Sequence, residues 1–180
     1  SGPASFCVGS SATLTATGGG TYAWSNGGIT ASTNVIAAGT YTVTATDANG
    51  CTLTTTLVIN QSPALTWTQN TATNITCNGG IDGSITTTAT GGTGIINYNL
   101  QPTNQTNNTG LFTNLAANIY TILATDANGC TISTTLAITE PTLLSITNIT
   151  TTNPTCVPGN DGSMTITASG GTLAYTYNIG

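Results

Sequence analysis

Thr46-Asp47-Ala48-Asn49-Gly50-Cys51-Thr52 returns 79 positions later as Thr125-Asp126-Ala127-Asn128-Gly129-Cys130-Thr131. Asn-Gly between two alternating runs is the strongest short signal for a tight β-hairpin, because glycine takes the positive φ that the turn requires. The flanks supply those runs. Tyr41, Val43 and Ala45 alternate with Thr40, Thr42 and Thr44, and Cys51, Leu53, Leu57 and Ile59 share a face opposite Thr52, Thr54 and Thr56. The second copy has Tyr120, Ile122 and Ala124, then Cys130, Ile132, Leu136 and Ile138. A period of two is that of a half-buried strand, and no stretch carries the helical period.

A second landmark keeps the same offset. Cys77-Asn78-Gly79-Gly80-Ile81-Asp82-Gly83-Ser84 matches Cys156-Val157-Pro158-Gly159-Asn160-Asp161-Gly162-Ser163, and Gly91-Gly92-Thr93 matches Gly170-Gly171-Thr172. A period of 79 residues is too long for a solenoid turn and suits one small sandwich. The reading is all-β: tandem immunoglobulin-like antiparallel sandwiches of about seven strands each, at residues 1–60, 61–140 and 141–180. Gln61-Ser62-Pro63 and Glu140-Pro141 are the joints, since proline cannot continue a central ladder. The third domain stops before its own Asp-Ala-Asn-Gly-Cys segment and is expected to continue in the natural chain. Within 61–140, Ile85, Tyr98, Tyr120, Ile122, Ile132 and Leu136 should face inward, and Thr86, Thr88, Thr121 and Thr135 outward.

Composition restricts the partners. The 180 residues include no Lys, Arg or His, only five acids, and 44 Thr, so the chain is 3% charged. Threonine favours strands and wets a sheet face without charge. Without cations the chain cannot neutralise nucleic-acid phosphates or anionic lipid. No apolar run reaches a membrane span. Ser and Cys nucleophiles lack their usual basic partners, so the chain reads as no enzyme, and no cofactor is expected.

Five cysteines imply an oxidising, extracellular setting. If each domain closes on itself, the disulfides are Cys7–Cys51 and Cys77–Cys130, with Cys156 pairing beyond Gly180. Closing loops of 44 and 53 residues would stabilise each domain by about 4 kcal/mol. The alternative, Cys51–Cys77, would staple neighbouring domains together. Zinc is disfavoured, because the cysteines are far apart and histidine is absent.

Asp47, Asp82, Asp126 and Asp161 occupy repeated turns, where a carboxylate caps backbone N–H groups. A Ca²⁺ site from Asp82, Asn78 and nearby carbonyls is the competing reading, although Ca²⁺ prefers several carboxylates. Trp24, Trp67 and Tyr98 are candidate glycan contacts if exposed. Their alternation with polar residues fits sandwich core better.

The segments Ile75-Thr76-Cys77-Asn78-Gly79-Gly80, Asp82-Gly83-Ser84, Gly91-Gly92-Thr93 and Thr125-Asp126-Ala127-Asn128-Gly129-Cys130, with Glu140-Pro141, together resemble the SprB-type repeat. Such repeats occur in giant surface adhesins and gliding-motility proteins of Bacteroidetes-type bacteria. Residues 1–60, with Cys7-Val8-Gly9-Ser10 and Thr21-Tyr22-Ala23-Trp24-Ser25, look more like the Ig-like or PKD-like modules of those proteins. The resemblance implies cell-surface export, by type 9 secretion, and a stalk or adhesive role with neighbouring repeats as partners. It supplies no catalytic residue. Two other readings stand beside it: a carbohydrate-binding array facing surface glycans, and a fibre subunit that assembles by strand exchange.

Overall fold

The structure is a computed structural model and describes residues 4–18 and 20–179. Among these residues every regular element is a strand. β1 (Ala4–Cys7), β2 (Ala12–Thr15), β3 (Thr21–Trp24), β4 (Ser32–Val35), β5 (Gly39–Thr46) and β6 (Thr52–Ser62) form two sheets, ordered β1-β6-β5-β3 and β2-β4. Phe6, Leu14, Trp24, Val35, Val43 and Ile59 are the buried core between them. The pairings are antiparallel except β1 with β6, where Ala4 opposes Ile59 and Cys7 opposes Ser62 in parallel register. Both strands therefore end at the same pole, which decides where Cys7 goes.

The next seven strands make a larger sandwich. They are β7 (Thr66–Thr73), β8 (Gly83–Thr90), β9 (Asn97–Gln101), β10 (Gln105–Asn107), β11 (Leu111–Leu115), β12 (Asn118–Thr125) and β13 (Thr131–Ile138). One sheet is β11-β8-β7 and the other β10-β9-β12-β13, all antiparallel. Ile85, Leu100, Phe112, Leu115 and Ile122 are at most 1% exposed and fill the space between the sheets. Tyr98 and Tyr120 are buried with them, and Ile132 and Leu136 pack against the cluster. The inward face read from the alternation is the buried one.

Thr87 departs from the rule that threonines face water. It lies between Ile85 and Ala89 on the inner face, fully buried, and donates to Asn70 Oδ1 at 2.5 Å. Satisfying the hydroxyl removes most of the cost of burying it. Leu53 errs the other way: it shares parity with the buried Ile59 but is 75% exposed. Core contact ends before the strand does.

β14 (Ser145–Thr152) and β15 (Ser163–Ser169) form a two-stranded hairpin with no buried residue. It repeats β7 and β8 at the 79-residue offset, but no second sheet faces it among the described residues. Leu144, Met164, Tyr177 and Ile179 stand exposed where Leu65, Ile85, Tyr98 and Leu100 are buried one period earlier. The equivalent positions differ in environment because no second sheet covers β14 and β15 among the described residues.

Candidate functional site

Each Asp-Ala-Asn-Gly-Cys segment folds into the same turn. Asp47 Oδ1 accepts from the N–H groups of Asn49 and Cys51, both at 2.8 Å. Asp126 Oδ1 accepts from Asn128 at 2.9 Å and Cys130 at 2.8 Å. The glycine N–H donates back to the aspartate carbonyl at 3.1 Å in both, with φ of 87° at Gly50 and 82° at Gly129. These aspartates act as turn caps, as the repeated pattern suggested.

At residues 125–131 the turn meets the chain arriving from the first sandwich. Asn128 Nδ2 donates to Ser62 Oγ at 2.7 Å, and Ala127 N donates to Thr93 O at 2.9 Å. Thr93 N donates to Asp126 Oδ2 at 2.8 Å, while Gly92 N reaches Pro63 O at 3.1 Å. Asp126 is consequently 4% exposed. Its burial alone would raise the carboxyl pKa. The N–H groups of Cys130, Thr93, Asn128 and Gly129 outweigh that and hold it below the usual carboxylate range.

A disulfide completes this junction, and it is neither expected intradomain pair. Cys7 bonds Cys130, with Cα atoms 5.4 Å apart, while Cys51, Cys77 and Cys156 are free and exposed. Strand length explains the correction. Cys7 opposes Ser62 at the far end of β6, whereas Cys51 precedes that strand's first residue. At about 3.3 Å per residue they are roughly 35 Å apart, and a disulfide needs Cα atoms within about 7 Å. Cys77 follows Ile75, whose N–H meets Thr139 O just past β13, while Cys130 precedes β13. Those two are roughly 30 Å apart by the same measure. Alternation reads the face of a sheet but not the pole of a sandwich, so it does not decide which cysteines meet.

At the other pole of the second sandwich, Gly79 N donates to Glu140 Oε2 at 2.6 Å and Asn78 Nδ2 to Pro141 O at 3.0 Å. Asp82 accepts from the Thr76 hydroxyl at 2.6 Å, and Asp161 makes the same bond with Thr155. These hydroxyl bonds are the main reason both carboxyl groups titrate low. Asn78 is directed to Pro141 and Asp82 to Thr76, so they do not converge as a Ca²⁺ site. Among the described residues no three metal-ligating side chains gather.

The candidate glycan platform is not assembled either. Trp24 is 5% exposed and donates its indole N–H to Thr30 O at 2.8 Å. Tyr98 is 4% exposed, with its hydroxyl accepting from Ala89 N at 2.9 Å. Trp67 is half-buried, its ring centroid 6.2 Å from that of Tyr98. These rings are packing, because stacking on a sugar needs a free face.

The profile of the SprB repeat matches residues 69–105 and 148–179. Both matched segments are similar to the SprB repeat. They begin within β7 and β14, and the first extends to the end of β9 and the start of β10, so the matched segments hold the repeated hairpin. No curated protein matches the chain. Among solved structures it is similar to extracellular domains 3–5 of Drosophila OTK, at 14% identity and a TM-score of 0.35, over 94% of this chain and 73% of that one. It is also similar to immunoglobulin domains 1–4 of Sidekick-1, at 12% identity and a TM-score of 0.38, over 94% of this chain and 57% of that one.

Proposed function

We propose that the chain is a structural, adhesive segment of a long secreted cell-surface filament or adhesin stalk, and not an enzyme. Residues 1–60, 61–140 and 141–180 are successive repeats, and function lies in length and multivalency. The observation that carries this reading is the junction. Two sandwiches joined by Pro63 are also locked by Cys7–Cys130 and by Asn128 on Ser62, which suits a spacer that holds direction. Such a spacer presents weak contacts at high effective concentration. An extracellular place is supported by the disulfide, which persists in oxidising compartments. The threonine-rich surface supports it further, since it offers trypsin-like proteases no Lys or Arg. Export by type 9 secretion and a part in gliding motility follow the SprB resemblance.

Small-angle scattering of the oxidised chain tests the reading. An elongated pair-distance distribution is expected, and a compact one overturns it. A second reading, a fibre subunit that completes itself with strands from another copy, is favoured by the uncovered apolar face of β14–β15. Concentration-dependent assembly that survives loss of Cys7 would select it.

A further inference from the structure

We infer that the free cysteines are halves of the same interdomain staple already closed between Cys7 and Cys130. Cys77 and Cys156 each take a thiol from the Asn-Gly-Cys turn of a repeat seated after them. Cys51 takes a thiol of the Cys7 type from a repeat seated before it. The inference rests on the repeat organisation proposed above and not on the adhesive role.

Two local geometries carry it. Cys7 and Cys77 each occupy the first position of the same turn: Ser10 N donates to Cys7 O and Gly80 N to Cys77 O, both at 3.0 Å. The third turn residue is Gly9 at φ 82° in one and Gly79 at φ 75° in the other. Cys51 and Cys130 share the aspartate-capped turn described above, hydrogen bond for hydrogen bond. One member of each matched pair is bonded, and to the other class. The free members carry the same backbone.

Polarity agrees. Cys7 lies at the pole where β6 leaves the first sandwich, beside Ser62. Cys77 lies at the pole where the chain leaves the second, in the segment anchored to Glu140 and Pro141. Cys130 lies at the entry pole of its sandwich, facing Ser62 through Asn128. Cys51 holds the corresponding turn position in the first, at the pole opposite Cys7, where Gly20 N meets Thr46 O at 2.9 Å. Exit cysteines therefore meet entry cysteines across a joint, and the two within one sandwich stand far apart. Cys156 has the exit position of the third repeat by its 79-residue offset from Cys77.

Closing each staple forms one S–S bond as two thiols release two protons and two electrons. A low-molecular-weight or protein disulfide accepts these by exchange and leaves as two thiols.

The test completes the third repeat with strands of the second. Residues 101–140 are appended directly after Ile179, so that Gln101 takes the place of Gly180 and a copy of Cys130 stands at the correct period. The chain is oxidised in a glutathione redox buffer, alkylated, digested with pepsin and mapped without reduction. The expected map links Cys77 to the appended cysteine, retains Cys7–Cys130, and leaves Cys51 and Cys156 alkylated. Cys77 found alkylated, or joined to any other cysteine while Cys7–Cys130 persists, overturns the inference. The unextended chain supplies an independent check through Cys7→Ser. Cys130 should then be alkylated alongside Cys51, Cys77 and Cys156, and a Cys77–Cys130 bond in that variant would equally overturn it.

Discussion

Asn128 holds Ser62 across 66 residues of sequence, its amide donating to the hydroxyl of a residue that is 2% exposed. Ser62 is the last residue of β6 and Asn128 belongs to the turn before β13, so this single bond ties strand exit to turn tip. Asn128→Ala should cost about 1 kcal/mol, the usual net value of one such bond. The turn itself should survive, because Asp126 holds it through backbone N–H groups. Faster reduction of Cys7–Cys130 by dithiothreitol would report the loosened junction, and an unchanged rate would count against it.

Asp126 and Asp47 cap identical turns in different surroundings. Asp126→Ala strands the buried N–H of Cys130 and the part-buried N–H groups of Thr93 and Asn128 and should cost about 3 kcal/mol. Asp47→Ala, where water replaces the cap, should cost about 1 kcal/mol. Urea titrations followed by tryptophan fluorescence separate the two.

The same carboxylate sets an acid limit. The folded pKa of Asp126 is lowered from 3.8, so its contribution is present above that value and is lost as pH falls through the folded pKa. Unfolding midpoints should be flat from pH 7 to about 5 and fall below about 4. In Asp126→Ala that fall should shrink, leaving the parts of Asp82 and Asp161, whose pKa values are also lowered.

Gly91 and Gly129 both have positive φ, at 88° and 82°, but differ in space. A Cβ on Gly91 would lie 2.0 Å from Ala64 O, whereas one on Gly129 meets nothing within 4 Å. Gly129→Ala should cost only the left-handed strain, about 1 kcal/mol. Gly91→Ala must also displace the backbone entering β7 and should cost about 3 kcal/mol or more. Equal thermal shifts for the two would refute the packing argument.

Removing the disulfide acts on a loop with a sequence separation of 123 residues. Loop entropy assigns about 5 kcal/mol to a closure of that size. Cys7→Ser should therefore lower the unfolding midpoint more than Asn128→Ala does. Trypsin cannot report it, since the chain has no Lys or Arg, and thermolysin susceptibility near Pro63 is the suitable readout.

Faces were legible in the sequence, and poles were not. Ile85, Tyr98 and Ile122 point inward because period-two alternation directly encodes the side of a sheet. The aspartate caps were legible because their turn chemistry is local. Cysteine pairing depends on which end of a strand a residue occupies and on what stacks there, and Cys7, opposite Ser62, stands at the other end of β6 from Cys51. The parallel β1–β6 pairing carried the missing signal, and strand propensity does not encode it. Thr87 escaped notice because its partner Asn70 lies on a neighbouring strand, 17 residues away. Trp24 and Tyr98 were ambiguous from composition alone, since an aromatic side chain serves equally as core or platform until burial is known.

The Cys7–Cys130 bond also decides how pulling at the two ends is carried. Tension entering before residue 7 crosses to residue 130 through a single covalent bridge and bypasses everything between. Unravelled, that 123-residue span would lengthen the chain by about 400 Å; closed into a ring, it cannot pay out. A stretched segment would yield only outside the ring, so the first sandwich and nearly all of the second would be spared mechanical extension for as long as the sulfurs stay joined.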